Sequence, residues 1–386
     1  MSCYAKTQPF GNGDRHQRSA ALRAVRCADF IFSLEENELT INDYGFDFGL
    51  NDIIDGAVAR VVAVHRDRYD VAGNFGECSA RLKAGKYFNS DEEYPTTGDF
   101  VTLDYRTDGD SIITSTLKRK TVFLRLDPSS AGRFEQAVAA NFDYVFIMQS
   151  LNRNFNTHRM ERYLTLAWQS GAIPIVVLTK SDLVSDAGGY IQQAQAVSMG
   201  AEVYAVSTVT GEGLEELRRY IMPQKTVVFL GSSGVGKSSL VNALAGENVM
   251  ETGDIRQEDS RGRHTTTHRQ LIMLPGGAMI IDTPGMRELG MWDVSEGIGQ
   301  SFSDVEQYFG RCRFNDCRHV NEPGCAVKAA IERGELSAQR WESYCKLKSE
   351  AKYSDDKSAY LRQKQKRHKD IAKKQRSMKK SGEIKE

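Results

Sequence analysis

Between Gly56 and Arg125 apolar residues recur at alternate positions in short runs, AVARVVAVH, RYDVAG, ECSARLKA, GDFVTLDY and SIITSTLKRKTVFLR, separated by turn formers. Alternation of this length marks half-buried strands. Five of them without an intervening helical stretch predict a small all-β closed barrel of the OB type, with an SH3-like barrel as the alternative of equal strand economy. From about Leu126 the period changes. FDYVFIMQS at 142–150 and IPIVVLTK at 173–180 are unbroken apolar runs, as expected of strands buried on both faces, and between them Met160, Tyr163, Leu164 and Ala167 follow helical spacing. GAEVYAVS (200–207), LEELRRYI (214–221), KTVVFLG (225–231) and SSLVNALAG (238–246) continue the alternation of strand and helix. The pattern predicts a parallel α/β sheet with helices on both faces. After about Trp292 it turns helical around a knot of Cys and His, and the terminal YLRQKQKRHKDIAKKQRSMKK reads as a solvated basic helix or as disordered chain. The expected organisation is an unassigned extension with one weak helical patch at 19–32 (1–50), a barrel (51–125), an α/β domain (126–291), a helical metal-binding domain (292–350) and a basic tail (351–386).

Composition narrows the classes. With 386 residues, 40% hydrophobic and 26% charged, the chain is an ordinary multidomain globular protein rather than a disordered or collagen-like one. No run approaches the ~18 apolar residues of a membrane span, and the opening MSCYAKTQPFGNGDRHQ lacks the basic-then-apolar pattern of a signal peptide. A cytoplasmic protein without a membrane partner is expected, and no heptad seam suggests anything but a monomer. Three of the seven cysteines lie between Cys312 and Cys325, which favours a metal in a reducing compartment over a disulfide framework. The net charge is zero, but residues 346–386 hold 15 Lys and Arg against 6 Asp and Glu, so the tail carries +9 and the remainder −9. Such a tail suits a nucleic-acid partner.

The strongest motif is Gly231, Ser232, Ser233, Gly234, Val235, Gly236, Lys237 and Ser238, followed by Ser239, which matches GxxxxGK[ST] between a predicted strand and a predicted helix. Its glycines let the backbone curl so that successive N–H groups face a β-phosphate; Lys237 reaches the β and γ oxygens, and Ser238 ligates Mg²⁺. Thr179, Lys180, Ser181 and Asp182 end a buried strand. Beside a phosphate loop, Asp182 can accept both N1–H and the exocyclic amine of guanine, a pair of donors that adenine lacks, so GTP is expected over ATP. Asp282 and Gly285 of DTPG suit a γ-phosphate sensor, Asp282 through a Mg²⁺-bound water and Gly285 through its N–H. Arg261-Gly-Arg-His264-Thr265-Thr266 brings hydroxyls suited to Mg²⁺, and Ser207 with Gly211–Gly213 is placed to cap the base. Met286 follows DTPG where a water-orienting Gln is usual in GTPases, and a thioether cannot orient water, so intrinsic turnover should be slow. His264 is the candidate to complete the site. Cys312, Cys317, His319 and Cys325 supply three thiolates and an imidazole with no open position, the donor set of one structural Zn²⁺.

The order of these elements is informative, because the base-reading TKSD and Ser207 precede the phosphate loop, whereas ordinary GTPases run the other way. A circularly permuted P-loop α/β GTPase domain is expected. In GSSGVGKSS, RGRHTTT, DTPGMRE and the cysteine knot, in that order over about residues 50 to 350, the chain resembles the ribosome small-subunit-dependent GTPase A (RsgA) family. The resemblance implies an OB barrel, a permuted GTPase and a C-terminal zinc knot, with the 30S ribosomal subunit and its rRNA as partners and GTP hydrolysis to GDP that releases the protein late in subunit maturation. The alternative reading is a non-catalytic rRNA-binding assembly factor that uses GTP only as an ordering ligand. Thr179 stands where the family usually has Asn, which predicts weaker bracing of the base-reading loop.

Overall fold

The computed structural model describes residues 39–47, 56–83, 87, 93–126, 135–152, 155–198, 200–251, 269–282 and 295–352. His264, Thr265, Thr266, Gly285, Met286, the helical patch at 19–32 and the tail from 353 lie outside them. The chain divides into two units, Met1–Leu39 and Thr40–Glu386, and the architecture below is that of the second.

Strands β1 (Ala57–Val64), β2 (Tyr69–Gly73), β3 (Gly76–Leu82), β4 (Phe100–Asp104) and β5 (Ser111–Thr116) run in the order β1-β2-β3-β5-β4, and β4 returns to pair with β1. The β3–β5 pair is parallel and the others are antiparallel. This is the Greek-key order of an OB barrel. Inward residues Ala59, Val61, Val71, Ala80, Val101, Leu103 and Ile113 fill it as a core of its own. The last predicted run divides. SIITST closes the barrel, while β6 (Val122–Leu126) leaves it and forms a two-stranded ribbon with β7 (Glu135–Ala140), a strand the alternation did not signal.

The α/β part follows in the spatial order β10-β9-β8-β11-β13-β12, with β8 Tyr144–Ser150, β9 Ile173–Thr179, β10 Glu202–Val206, β11 Thr226–Gly231, β12 Gln270–Met273 and β13 Met279–Asp282. All neighbours are parallel except β12–β13. The unbroken apolar runs are explained by the two faces. Val145, Ile147, Val176, Leu178, Val228 and Leu230 enter one core, and Phe146, Met148, Ile175, Val177, Val227 and Phe229 enter the other. Helices α1 (Thr157–Gln169) and α2 (Gly188–Val197) cover the first face, and α3 (Leu214–Arg218) and α4 (Lys237–Ala245) the second. The sheet turns back between β8 and β11, since β9 and β10 extend to one side of β8 and β11 lies on the other. Such a reversal opens a crevice at the carboxyl ends of the strands, where ligands of open α/β sheets bind.

Barrel and α/β sheet form one continuous ladder, because the far end of β1 pairs with the edge strand β12 at Ala63 and Gln270. Arg60 of β1 is 1% exposed in this seam. Its guanidinium donates to the carbonyls of Gly98, Tyr44 and Asn141 and lies 4.9 Å from the Phe100 ring centre. Burial pulls its pKa down to about 10, with Asp143 and Asp99 opposing. Gly98 is required here, since its φ is +91° and a Cβ would stand 2.1 Å from the Ala140 carbonyl oxygen. Ile41, Tyr44 and Phe46, in the stretch left unassigned above, are buried in the main core.

The C-terminal part packs on α1. It holds helices α5 (Ser295–Ser301), α6 (Ser303–Glu306), α7 (Ala326–Glu332) and α8 (338–352), with the Cys/His knot between α6 and α7 in the chain and Trp341 of α8 against His319. Arg340 of α8, 6% exposed, donates to Glu161 of α1 at 2.7 Å and to both oxygens of Asp304 of α6 at 3.0 and 3.1 Å, with its guanidinium 4.0 Å over Phe302. At Gly297 a Cβ would lie 2.2 Å from the Thr165 carbonyl oxygen, so α5 and α1 touch backbone to backbone.

Candidate functional site

Two loops meet at the reversal in strand order. The phosphate loop leaves β11 at Gly231 and enters α4 at Lys237, and its turns need φ of +72° at Gly234 and +98° at Gly236, which glycine reaches without a Cβ clash. Val235 is buried beneath and anchors the loop in the core of that face. The N–H groups at the head of α4 have no partners within the helix and, with the helix dipole, suit an anion. Arg218 of α3 donates to the Leu244 and Ala243 carbonyls at the opposite end of α4, satisfying acceptors that the helix leaves free. Lys237 forms an ion pair with Asp282, the last residue of β13, and their side chains are 22% and 6% exposed.

The base-reading segment leaves the next strands but one. Thr179, 3% exposed at the end of β9, donates its hydroxyl to the Val235 carbonyl at 2.6 Å, and the Gln149 carbonyl lies at 3.4 Å. Lys180 adopts a left-handed conformation (φ 61°, ψ 44°) and reaches back with Nζ to the Gly234 carbonyl at 2.9 Å. Two consecutive side chains thus tie the base-reading segment to the phosphate loop over a separation of more than fifty residues. Ser181 is buried beneath, its hydroxyl 3.4 Å from the Glu212 carboxylate. Asp182 is exposed and accepts a 2.6 Å hydrogen bond from the Ser207 hydroxyl. Ser207 in turn accepts the N–H groups of Val209 and Thr210, which shapes the loop after β10. Gly213 closes that loop against β10, where a Cβ would stand 2.2 Å from the Ala205 carbonyl oxygen.

Of the residues singled out in the sequence, Thr179, Lys180, Ser181, Asp182, Ser207, the run 231–239 and Asp282 converge here, while His264, Thr265, Thr266 and Gly285 fall outside the described residues. Reading the sequence missed Gln149. Its buried amide holds the start of α1, accepting the Asn156 N–H at 2.7 Å and donating to the Asn156 carbonyl at 2.9 Å. A lone Gln directly after the apolar run YVFIM was the available signal.

The second cluster is the knot. One ligand atom from each of Cys312, Cys317, His319 and Cys325 lies within 4.8 Å of the others, close enough for a single ion. His319 Nδ1 is 3.5 Å from both Cys312 Sγ and Cys325 Sγ, and burial lowers the imidazole's pKa, which favours the neutral, ligating form. Burial opposes ionisation of Cys312, yet the Ala326 N–H and the neighbouring thiols outweigh it and hold this thiol below its ordinary value. Soft, deprotonatable donors in a closed set of four fit a tetrahedral thiophilic metal. Phe309 stacks on the imidazole at 4.7 Å and Trp341 meets it edge-on at 5.8 Å.

Strand order, the glycine-rich loop and the preceding base segment together define a circularly permuted P-loop nucleotide-binding protein. Residues 116–292 match the RsgA GTPase family. The small ribosomal subunit biogenesis GTPase RsgA 1 of Listeria monocytogenes is 48% identical over 321 residues, which are 82% of this chain and 91% of that protein. The crystal structure of YjeQ from Thermotoga maritima superposes with a TM-score of 0.59 at 28% identity, over 75% of this chain and 96% of that one. That of YloQ, described as a circularly permuted GTPase, gives 0.55 at 26%, over 77% and 96%. The chain belongs to the RsgA GTPase family and is a GTP hydrolase.

Proposed function

We propose that this GTPase acts on the small (30S) ribosomal subunit, that the subunit stimulates hydrolysis of GTP to GDP and phosphate, and that hydrolysis releases the protein late in subunit maturation. The observation that carries the reading is the convergence of Thr179–Asp182 and Gly231–Ser238 on one crevice, with an exposed carboxylate at one end and Lys237 at the other. The partner is supported by relatives named for small ribosomal subunit biogenesis.

In this reading Asp182 accepts two hydrogen bonds from guanine, and Ser207 fixes the carboxylate's direction. The loop amides and Lys237 hold the β- and γ-phosphates, and Lys237 leaves Asp282 to do so. Ser238, Asp282, Thr265 and Thr266 hold Mg²⁺, which when bound neutralises charge on the β and γ oxygens. Gly285 senses the γ-phosphate by its N–H, and His264 orients the attacking water when the protein is on the ribosome. The four knot residues hold one structural Zn²⁺. The barrel and the knot grip rRNA and the basic tail adds electrostatic attraction to its phosphates, and the protein works as a cytoplasmic monomer. Among the described residues no helix is long and apolar enough to cross a membrane. GTP favours the ribosome-bound state only by binding that state more tightly than it binds the free protein.

Phosphate release from GTP and from ATP, each with 30S, 50S or no subunits, tests this. A slow, GTP-only rate raised many-fold by catalytic amounts of 30S alone is expected. No response to 30S overturns the ribosomal part.

A further inference from the structure

Within the knot, the ligand His319 sits on an exposed stretch between Cys317 and Cys325 that has no regular secondary structure, and its backbone is left-handed, with φ of 59°. Phe309 and Trp341 pack on the His319 ring but not on the backbone beside it, where Val320 is 61% exposed. One side chain holds that backbone. Glu322 Oε1 accepts the Arg318 N–H at 3.1 Å, and Oε2 accepts those of Val320 at 2.9 Å and Asn321 at 3.0 Å. The N–H groups on both sides of His319 therefore converge on a single carboxylate, a concave array that an anion fills. Below it the loop is closed by the Arg313 N–H on the Gly324 carbonyl at 3.0 Å.

We propose that Glu322 is a positioning residue of the metal centre, holding the His319 backbone in the left-handed turn that delivers Nδ1 to the thiolates. The proposal rests on the zinc reading of the knot. Charge attraction to the metal does not account for this carboxylate. Three thiolates and one neutral imidazole around Zn²⁺ already sum to −1, and Glu322 lies outside the four-atom cluster. The three donors need two acceptor oxygens, and glutamine, though equal in shape, offers one oxygen and turns an NH₂ group toward N–H donors. Asp keeps both oxygens on a shorter stem. Glu322→Gln should thus behave like Glu322→Ala, with Glu322→Asp between these and the unsubstituted protein.

The test uses zinc-loaded full-length protein and the three variants, timing metal release to excess 4-(2-pyridylazo)resorcinol and recording the visible spectra of the cobalt-loaded forms. Release about 10-fold faster or more in Glu322→Gln and Glu322→Ala is expected, the usual scale for partners that orient metal ligands. Partial rescue by Asp, altered cobalt d–d bands in the Gln variant and unchanged GDP binding throughout complete the expected result. Release and spectrum of Glu322→Gln matching the unsubstituted protein would overturn the role of Glu322 while leaving the zinc reading intact. Unsubstituted protein that takes up neither metal would overturn the zinc reading, and the proposal with it.

Discussion

Thr179 makes with one hydroxyl the tie to the phosphate loop for which the resemblance predicts an Asn. A hydroxyl has a single proton, and at 2.6 Å it is given to Val235, leaving Gln149 at 3.4 Å as a secondary partner. Thr179→Ala would leave the Val235 carbonyl without this donor at a buried position, a loss of about 1 kcal/mol, or roughly 5-fold in GDP affinity. Thr179→Asn, with two donors, should match or exceed the native residue; titration calorimetry with GDP distinguishes the three. The phosphate loop was legible in the sequence because its chemistry is local and eight consecutive residues carry it. The Thr179–Val235 and Lys180–Gly234 ties were not, because each joins positions more than fifty residues apart and uses a main-chain carbonyl that leaves no mark in the sequence. Glu322 was hidden for the opposite reason. In NEPGC it reads as one more solvated charge, and only the convergence of three N–H groups shows otherwise.

At the scale of elements, the apolar period located β8, β9, β11 and both flanking helices, since strands buried on two faces and amphipathic helices leave strong periodic signals. It missed β7 and β12. Both are short edge pieces, EQAVAA and QLIM, whose partners rather than their composition make them strands. Helix–helix contact was likewise unreadable at Gly297, which looks like any glycine in SEGIGQS yet marks where α5 meets α1, with its N–H on the Gln169 side chain at 2.9 Å. Gly297→Ala should push the two helices apart and lower stability by about 2 kcal/mol, as overpacking does. Gly299→Ala is the control. Its Cβ would meet only the movable Glu306 carboxylate at 3.3 Å, and the gain in helix propensity should leave it near neutral. Urea midpoints of the two variants check this.

Over the whole molecule, barrel and sheet are joined through Arg60, whose sequence signal was a lone charge in the apolar run AVARVV. Replacing it with Met keeps the volume but strands the carbonyls of Tyr44 and Asn141 in the seam, Gly98 keeping only the Asn141 amide, at a cost of about 3 kcal/mol. Arg60→Lys should recover little, because one ammonium on a flexible stem cannot reproduce the planar fork. Proteolysis of the native protein, tracking release of the barrel, measures the difference. Vectorial synthesis sets a further condition on this architecture. The central strand β8 needs β11 as its second neighbour, and β11 begins at Thr226, 82 residues after Tyr144. In translation the base-reading loop emerges first, and the free edge of β8 waits on the order of ten seconds for the phosphate loop's strand. The permutation thus leaves a half-built, two-faced apolar sheet on the nascent chain, the form in which this protein most needs a chaperone.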